Sequence, residues 1–73
     1  MNTKNTTNES KKMEALRTAA RLADTETIAD AIKEIGGGHV DTETRMTRAA
    51  LIDVYGERLG DNAADAIMDE IGL

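Results

Sequence analysis

The residues best suited to chemistry are acids that recur at every fourth position in the C-terminal third of the chain. They are Asp53, Glu57, Asp61, Asp65 and Asp69. Residues four apart are neighbours on a helix surface, so each like-charged pair destabilises the helix by about 0.2–0.5 kcal/mol. A row of this kind suits a basic protein surface, and we define the predicted partner-binding face as these five acids together with Glu70. The alternative interpretation is a solvated face of an acidic protein.

A strict spacing of four does not keep the acids on one face of a single straight helix. Because one turn takes 3.6 residues, the row drifts by about 40° at each step. An interruption near Gly56 or Gly60 resets the phase. The sequence therefore predicts two helices in this region, with Gly60 ending the first and Asp61 capping the second.

Other kinds of site find little support in the sequence. The chain has no Cys and one His, His39, which excludes disulfides and thiolate metal sites. The acids lack the loop oxygens and glycine turn of calcium loops. The glycine triplet at residues 36–38 lacks the Lys and Ser/Thr of a phosphate-binding loop, so a mobile connector is predicted there. We expect no catalytic residue, cofactor or bound metal, and no enzymatic activity.

Four helical segments are predicted to carry these residues, and no alternating strand pattern appears. The first covers residues 10–23. The second follows Asp24, a good N-cap, and ends at the glycine triplet, residues 36–38. Asp41 or Thr42 caps the third helix, which precedes the break at the acidic row.

The predicted fold is all-α, a small bundle of three to four short helices with a disordered N-terminal tail. Residues 1–9 are polar and lack apolar periodicity, so they form the tail, and residues 10–73 form a single helical domain. With 73 residues and no Phe or Trp, the core is small and aliphatic. Self-association would bury more surface, which favours a homodimer. The predicted core or dimer interface consists of Leu51, Tyr55, Leu59, Ile67, Met68 and Ile71.

The charge balance and the distribution of apolar residues argue against nucleic-acid binding and against membrane association. Lys and Arg number 9 against 14 Asp and Glu, giving a formal net charge of -5. Phosphate contacts need clustered Lys and Arg, so direct nucleic-acid binding is not expected. No apolar run approaches the roughly 20 residues that span a bilayer. The start of the chain also lacks a secretory signal, and we expect a cytoplasmic protein with no membrane partner.

Two alternatives compete with binding to a basic protein. One is a small dimeric DNA-binding regulator, since residues 49–73 have the outline of a helix-turn-helix with residues 61–71 as the recognition helix. That helix would place acids beside phosphates and contains no Lys or Arg. The DNA contacts would instead come from Lys11, Lys12, Arg17, Arg45 and Arg48. The other alternative is a self-associating structural or assembly accessory protein.

Residues 28–71 also resemble a ubiquitin-associated domain. The segment IADAIKEIGG at residues 28–37 is similar to the first helix and loop of that family, and residues 48–71 resemble its last two helices. The family's final apolar set is replaced by Ala63, Ala64, Ile67 and Met68. The connection over residues 38–47 is longer than that fold normally has, so no function is transferred.

The function that we expect is therefore a small, acidic, non-enzymatic protein-binding module. One concrete version is an inhibitor encoded by a virus or a plasmid, of the anti-CRISPR type. Such an inhibitor places an acidic helix face against the basic groove of a host machine that handles nucleic acid. This version rests on analogy of class and not on a motif.

Overall fold

Four helices make up the part of the chain that the computed structural model describes, the backbone of residues 3–73 and the side chains of residues 10–73. They are α1 (Thr3–Arg21), α2 (Thr25–Ile35), α3 (Thr42–Leu59) and α4 (Asp61–Ile71). No strand occurs in this described part, and the predicted all-α class is confirmed. The side chains of the predicted disordered tail, residues 1–9, lie outside the described residues.

Aspartates cap the starts of α2 and α3, as the sequence predicts. The Thr27 backbone N–H donates to Asp24 Oδ1 at 2.8 Å, and the Thr44 N–H donates to Asp41 Oδ1 at 3.0 Å. Each bond satisfies one of the N–H groups that a helix start leaves unpaired. Hydrogen bonding from the Thr27 side chain and backbone lowers the pKa of Asp24, and Thr44 lowers the pKa of Asp41 in the same way.

The break between α3 and α4 falls at Gly60. Helix α3 continues through Gly56, and the Gly60 N–H donates to the Gly56 carbonyl at 2.8 Å. Gly60 has φ +99°, a conformation that favours glycine, and it caps both the end of α3 and the start of α4. The prediction that Asp61 caps the fourth helix is wrong, because Asp61 is already its first residue. Its carboxylate still lies at the positive end of the α4 dipole.

Helix α3 lies at the centre of the bundle, since α1, α2 and α4 each pack against it. The buried core takes residues from all four helices: Ala20, Ile28, Ile32, Ile52, Val54 and Ile67. Ile28 and Ile32 lie on the face of α2 that the sequence predicts, and both are 0% exposed, as is Val54. Burying a side chain of this size stabilises a fold by about 1.5–3 kcal/mol, so these three anchor the bundle.

The glycine triplet between α2 and α3 is held by contacts on two sides. The buried Arg48 Nη1 donates to the carbonyls of Gly36 at 2.7 Å and Gly38 at 3.2 Å. This places a positive charge at the C-terminal end of α2, where the helix dipole favours one. A β-carbon at Gly37 would overlap the carbonyl oxygen of Ile71 at the end of α4. These contacts oppose the mobility that the sequence predicts for the triplet.

Candidate binding groove between α3 and α4

Four of the six predicted partner-binding acids line one groove between α3 and α4. The groove has a volume of about 440 Å³. Its acidic residues are Asp53, Glu57, Asp61 and Asp65, and its other lining residues are Ile52, Gly56, Ala64 and Met68. A β-carbon at Gly56 would lie only 3.3 Å from Ala64 Cβ. The missing side chain at Gly56 therefore lets α4 lie close to α3 and brings the two acidic walls together.

The remaining two predicted acids do not line the groove. Asp69 is exposed on α4. Glu70 is turned towards α2, where its Oε2 lies 3.4 Å from Lys33 Nζ. The structure thus divides the predicted face into a groove set of four acids and two acids outside it.

The acids on the α3 wall are already paired with arginines of α1. Arg17 Nε donates to Asp53 Oδ2 at 3.1 Å. Arg21 donates to Glu57 twice, from Nε to Oε1 at 3.1 Å and from Nη2 to Oε2 at 2.8 Å. The hydrogen bond and charge of Arg21 lower the pKa of Glu57, and the same carboxylate raises the pKa of Arg21. Two of the four groove acids are therefore already ion-paired within the chain.

These pairs are not among the contacts predicted from the sequence, although the sequence contains their spacing. Arg17 and Arg21 are four residues apart, as are Asp53 and Glu57, and both pairs span 36 positions of the chain. An equal separation means that α1 and α3 run in the same direction along this contact. The pattern that indicates these contacts is an interval of four between two basic residues on one helix and the same interval between two acids on another. A single charged face does not contain it.

The acids on the α4 wall have no such partner among the described residues. Asp61 and Asp65 are exposed, line the groove, and form no ion pair in the described part of the chain. Helix α4 itself contains no Lys or Arg. Among the described residues, the groove therefore has an ion-paired wall on α3 and a negative wall without ion pairs on α4, where the helix dipole favours Asp61.

In the part of the chain that the structure describes, the acids do not converge on a metal site and the helices lack the character of membrane spans. Within the described residues, no group of three or more His, Cys, Asp or Glu is arranged to hold a metal ion. In the same part of the chain, no helix combines the length and apolar character needed to cross a bilayer. The four groove acids lie along α3 and α4, where they can contact an extended ligand.

A second, more apolar groove continues the first one. Its volume is about 290 Å³, and it shares Ile52, Asp53 and Met68 with the acidic groove. Its other lining residues are Arg45, Arg48, Ala49 and Leu73. Together the two form one channel along α3 and α4, acidic towards Gly60 and apolar towards Leu73. We call this combined feature the α3–α4 channel.

Most of the predicted core or dimer interface lies in the core. Ile67 is buried, and Leu51, Tyr55, Met68 and Ile71 are partly buried and pack against the core residues. Leu59 differs, because 52% of it is exposed. Sequence reasoning did not single out Leu22 and Leu73, which are 86% and 52% exposed. The homodimer stays a prediction.

Three of the five residues proposed for DNA contact already have hydrogen-bond or ion-pair partners within the chain. Lys12 Nζ lies 2.6 Å from Glu43 Oε2, and Arg17 is held by Asp53. Arg48 is only 7% exposed and holds the glycine triplet. Lys11 and Arg45 are exposed. A phosphate backbone would therefore have to compete with existing contacts for most of this set.

Comparison with known proteins gives no relative from which function can be transferred. No protein-family model matches the chain, and neither curated proteins nor solved structures give a significant match. The resemblance of residues 28–71 to a ubiquitin-associated domain gains no support from these comparisons. The α3–α4 channel is therefore the feature of this chain that bears on its function.

Proposed function

We propose that this chain is a non-enzymatic protein-binding module whose α3–α4 channel receives a basic surface of another protein. One observation carries the proposal. Asp61 and Asp65 line the groove without an ion-pair partner among the described residues, opposite acids that arginines already compensate. Like charges four apart on a helix destabilise it, and a cation entering the groove would relieve that repulsion. Complementary charge of this kind also steers association and selects the partner.

An inhibitor of a nucleic-acid-handling protein is the specific form of this function that we favour. Acids at every fourth residue of one helix lie about 6 Å apart along its axis. One DNA strand carries a charge about every 3.4 Å, so a single helix is too sparse to match it. The groove sets the acids of α3 beside those of α4, but Arg17 and Arg21 pair with the α3 acids, so the unpaired negative charge lies on α4. The fit to a basic partner is therefore one of sign and not of phosphate-like spacing. A basic nucleic-acid channel, such as those that anti-CRISPR-type inhibitors block, offers a surface of the matching sign.

Matched charge reversals test the proposal. The groove variant is D61K/D65K, and the control is E26K/D30K on α2, which also reverses two exposed acids four residues apart, one of them in the first turn of its helix. Each reversal adds two charges, so both variants move from -5 to -1. We expect the wild type and the control to capture the same basic protein from a host lysate and the groove variant to lose it. Equal capture by both variants would contradict the proposal.

A gel shift with duplex DNA separates this function from the DNA-binding alternative. Binding through phosphates falls steeply as salt rises, so low salt is the sensitive condition. We expect no shift for the wild type at low salt. A shift that is lost in a K11E/R45E variant would instead favour the DNA-binding regulator, because these are the exposed cations of the set that form no ion pair among the described residues.

A further inference from the structure

We infer that the α3–α4 channel binds an amphipathic helix of a partner protein, about three turns long, with Lys or Arg in its first turn and apolar residues along one side. This inference rests on the proposed function and adds the shape, chemistry and direction of the bound segment. Three features of the channel support it: its length, its apolar half and the order of its charges.

The length of the channel fits a short helix. Its lining on α3 extends from Arg45 to Glu57. At a rise of 1.5 Å per residue this is about 18 Å, the length of a helix of about 12 residues. Helix α4 forms the opposite wall from Asp61 to Met68, and Leu73 lies beyond its end. A groove between two helices is a common docking place for an amphipathic third helix.

The apolar half supplies contacts that a purely electrostatic site would lack. Ala49 and Leu73 are exposed, with 52% of Leu73 accessible, and Ile52 and Met68 connect them to the acidic half. The flexible thioether of methionine adapts to different apolar partners. Apolar residues at intervals of three and four on the bound helix would cover this strip.

The order of charges fixes the direction of the bound helix. The Gly60 end of the channel carries Asp61 and Asp65, whereas the opposite end carries the exposed Arg45. A helix has a partial positive charge at its N-terminus and a partial negative charge at its C-terminus. The bound helix therefore lies with its basic N-terminal turn at the acidic end and its C-terminus at Arg45. It runs antiparallel to α3 and parallel to α4.

Fluorescence polarisation with the full chain tests this inference. The probe is a fluorescein-labelled helical peptide of about 14 residues with Lys and Arg in its first turn and Leu at helical spacing. Two control peptides keep its length: one has Ser in place of each Leu, and one has the basic residues in the last turn. We expect the probe to bind at least about 10-fold more tightly than either control, a difference of about 1.4 kcal/mol.

Protein variants locate the probe without disturbing the core. A49E/L73S changes two exposed residues of the apolar half, and A15E/L22S makes the same changes at exposed positions outside the channel. Circular dichroism checks that both remain helical. We expect A49E/L73S to weaken binding at least about 10-fold and A15E/L22S to leave it unchanged. Equal effects of the two variants would overturn the inference.

Further outcomes distinguish this inference from the proposed function. If the Ser peptide binds as well as the probe, docking of an apolar helix face is overturned while a basic partner remains supported. If the probe does not bind but D61K/D65K still loses the captured protein, only the helical occupant is wrong. If sedimentation shows a wild-type dimer that A49E/L73S dissociates, a second copy occupies the channel and the inference fails.

Discussion

Arg21 and Glu57 form a two-bond ion pair that joins α1 to α3, with N–O distances of 3.1 and 2.8 Å. Arg17 and Asp53 form the neighbouring contact of the same interface. These exposed pairs add only modestly to the packing of α1 on α3. They also leave the acids of α4 as the groove acids without an ion pair among the described residues.

Exchanging the two charges tests the Arg21–Glu57 pair. R21E or E57R alone places like charges next to each other, so each should lower the thermal midpoint modestly. The double variant R21E/E57R restores opposite charges and should recover most of that loss. Thermal unfolding followed by circular dichroism measures the three variants, with D30R as the control at an exposed acid of α2. Additive losses in the double variant would show that the pair does not stabilise the fold.

Removing the arginines of α1 should strengthen binding of a basic ligand. In R17Q/R21Q the carboxylates of Asp53 and Glu57 lose their cations, so all four acids of the groove become uncompensated. We expect tighter binding of the basic helical probe and a steeper loss of affinity as salt rises. Polarisation titrations at two salt concentrations measure both effects. Unchanged affinity in a variant that remains helical would show that the α3 wall takes no part in binding.

Adjacent glycines of the triplet should respond differently to substitution. Gly37→Ala introduces a β-carbon that overlaps the Ile71 carbonyl, and we expect a loss of about 1–3 kcal/mol. Gly38→Ala meets no atom within 4 Å and should be neutral or stabilise by about 0.4–1 kcal/mol. Chemical denaturation of the two variants measures the difference. Equal stabilities would mean that the triplet does not pack against the end of α4.

Stability should fall in acid because three carboxylates have a lowered pKa in the folded state. They are Asp24, Asp41 and Glu57. Their contribution is present above their unfolded pKa values, about 4, and is lost as the pH falls through the lower folded values. The variant D24N/D41N retains good capping residues that do not titrate, so it should lose less stability between pH 5 and pH 3. Denaturation at several pH values compares it with the wild type, and parallel losses would contradict the assignment.

The sequence predicts the helices better than it predicts their contacts. Asp24 and Asp41 determine helix starts through local hydrogen bonds, and the isoleucines of α2 show their buried face by spacing alone. These signals are local, so a single sequence contains them. The Arg48 contacts with Gly36 and Gly38 are not local, because they depend on how α3 crosses the end of α2. The apolar spacing of α3 does not show that this arginine is buried.

The acidic residues also show that the sequence does not reveal contacts between helices. The interval of four residues identifies the acids, and their drifting phase predicts a break near Gly56 or Gly60, of which the structure has only the one at Gly60. The sequence did not show that Asp53 and Glu57 face the arginines of α1 while Asp61 and Asp65 do not. It also did not show the apolar half of the channel, since Leu73 joins it only through the packing of α4 on α3.

A nuclear magnetic resonance titration of the ¹⁵N-labelled chain with the basic helical probe tests whether the α3–α4 channel is the binding surface. We predict that the largest amide shift changes lie along this channel, at Asp61, Asp65, Met68 and Leu73, with Ala49 on the facing helix. The exposed face of α2, around Asp30 and Glu34, should change little. Shift changes centred on α1 or α2, or no change at millimolar probe, would contradict the claim that this channel is the binding surface.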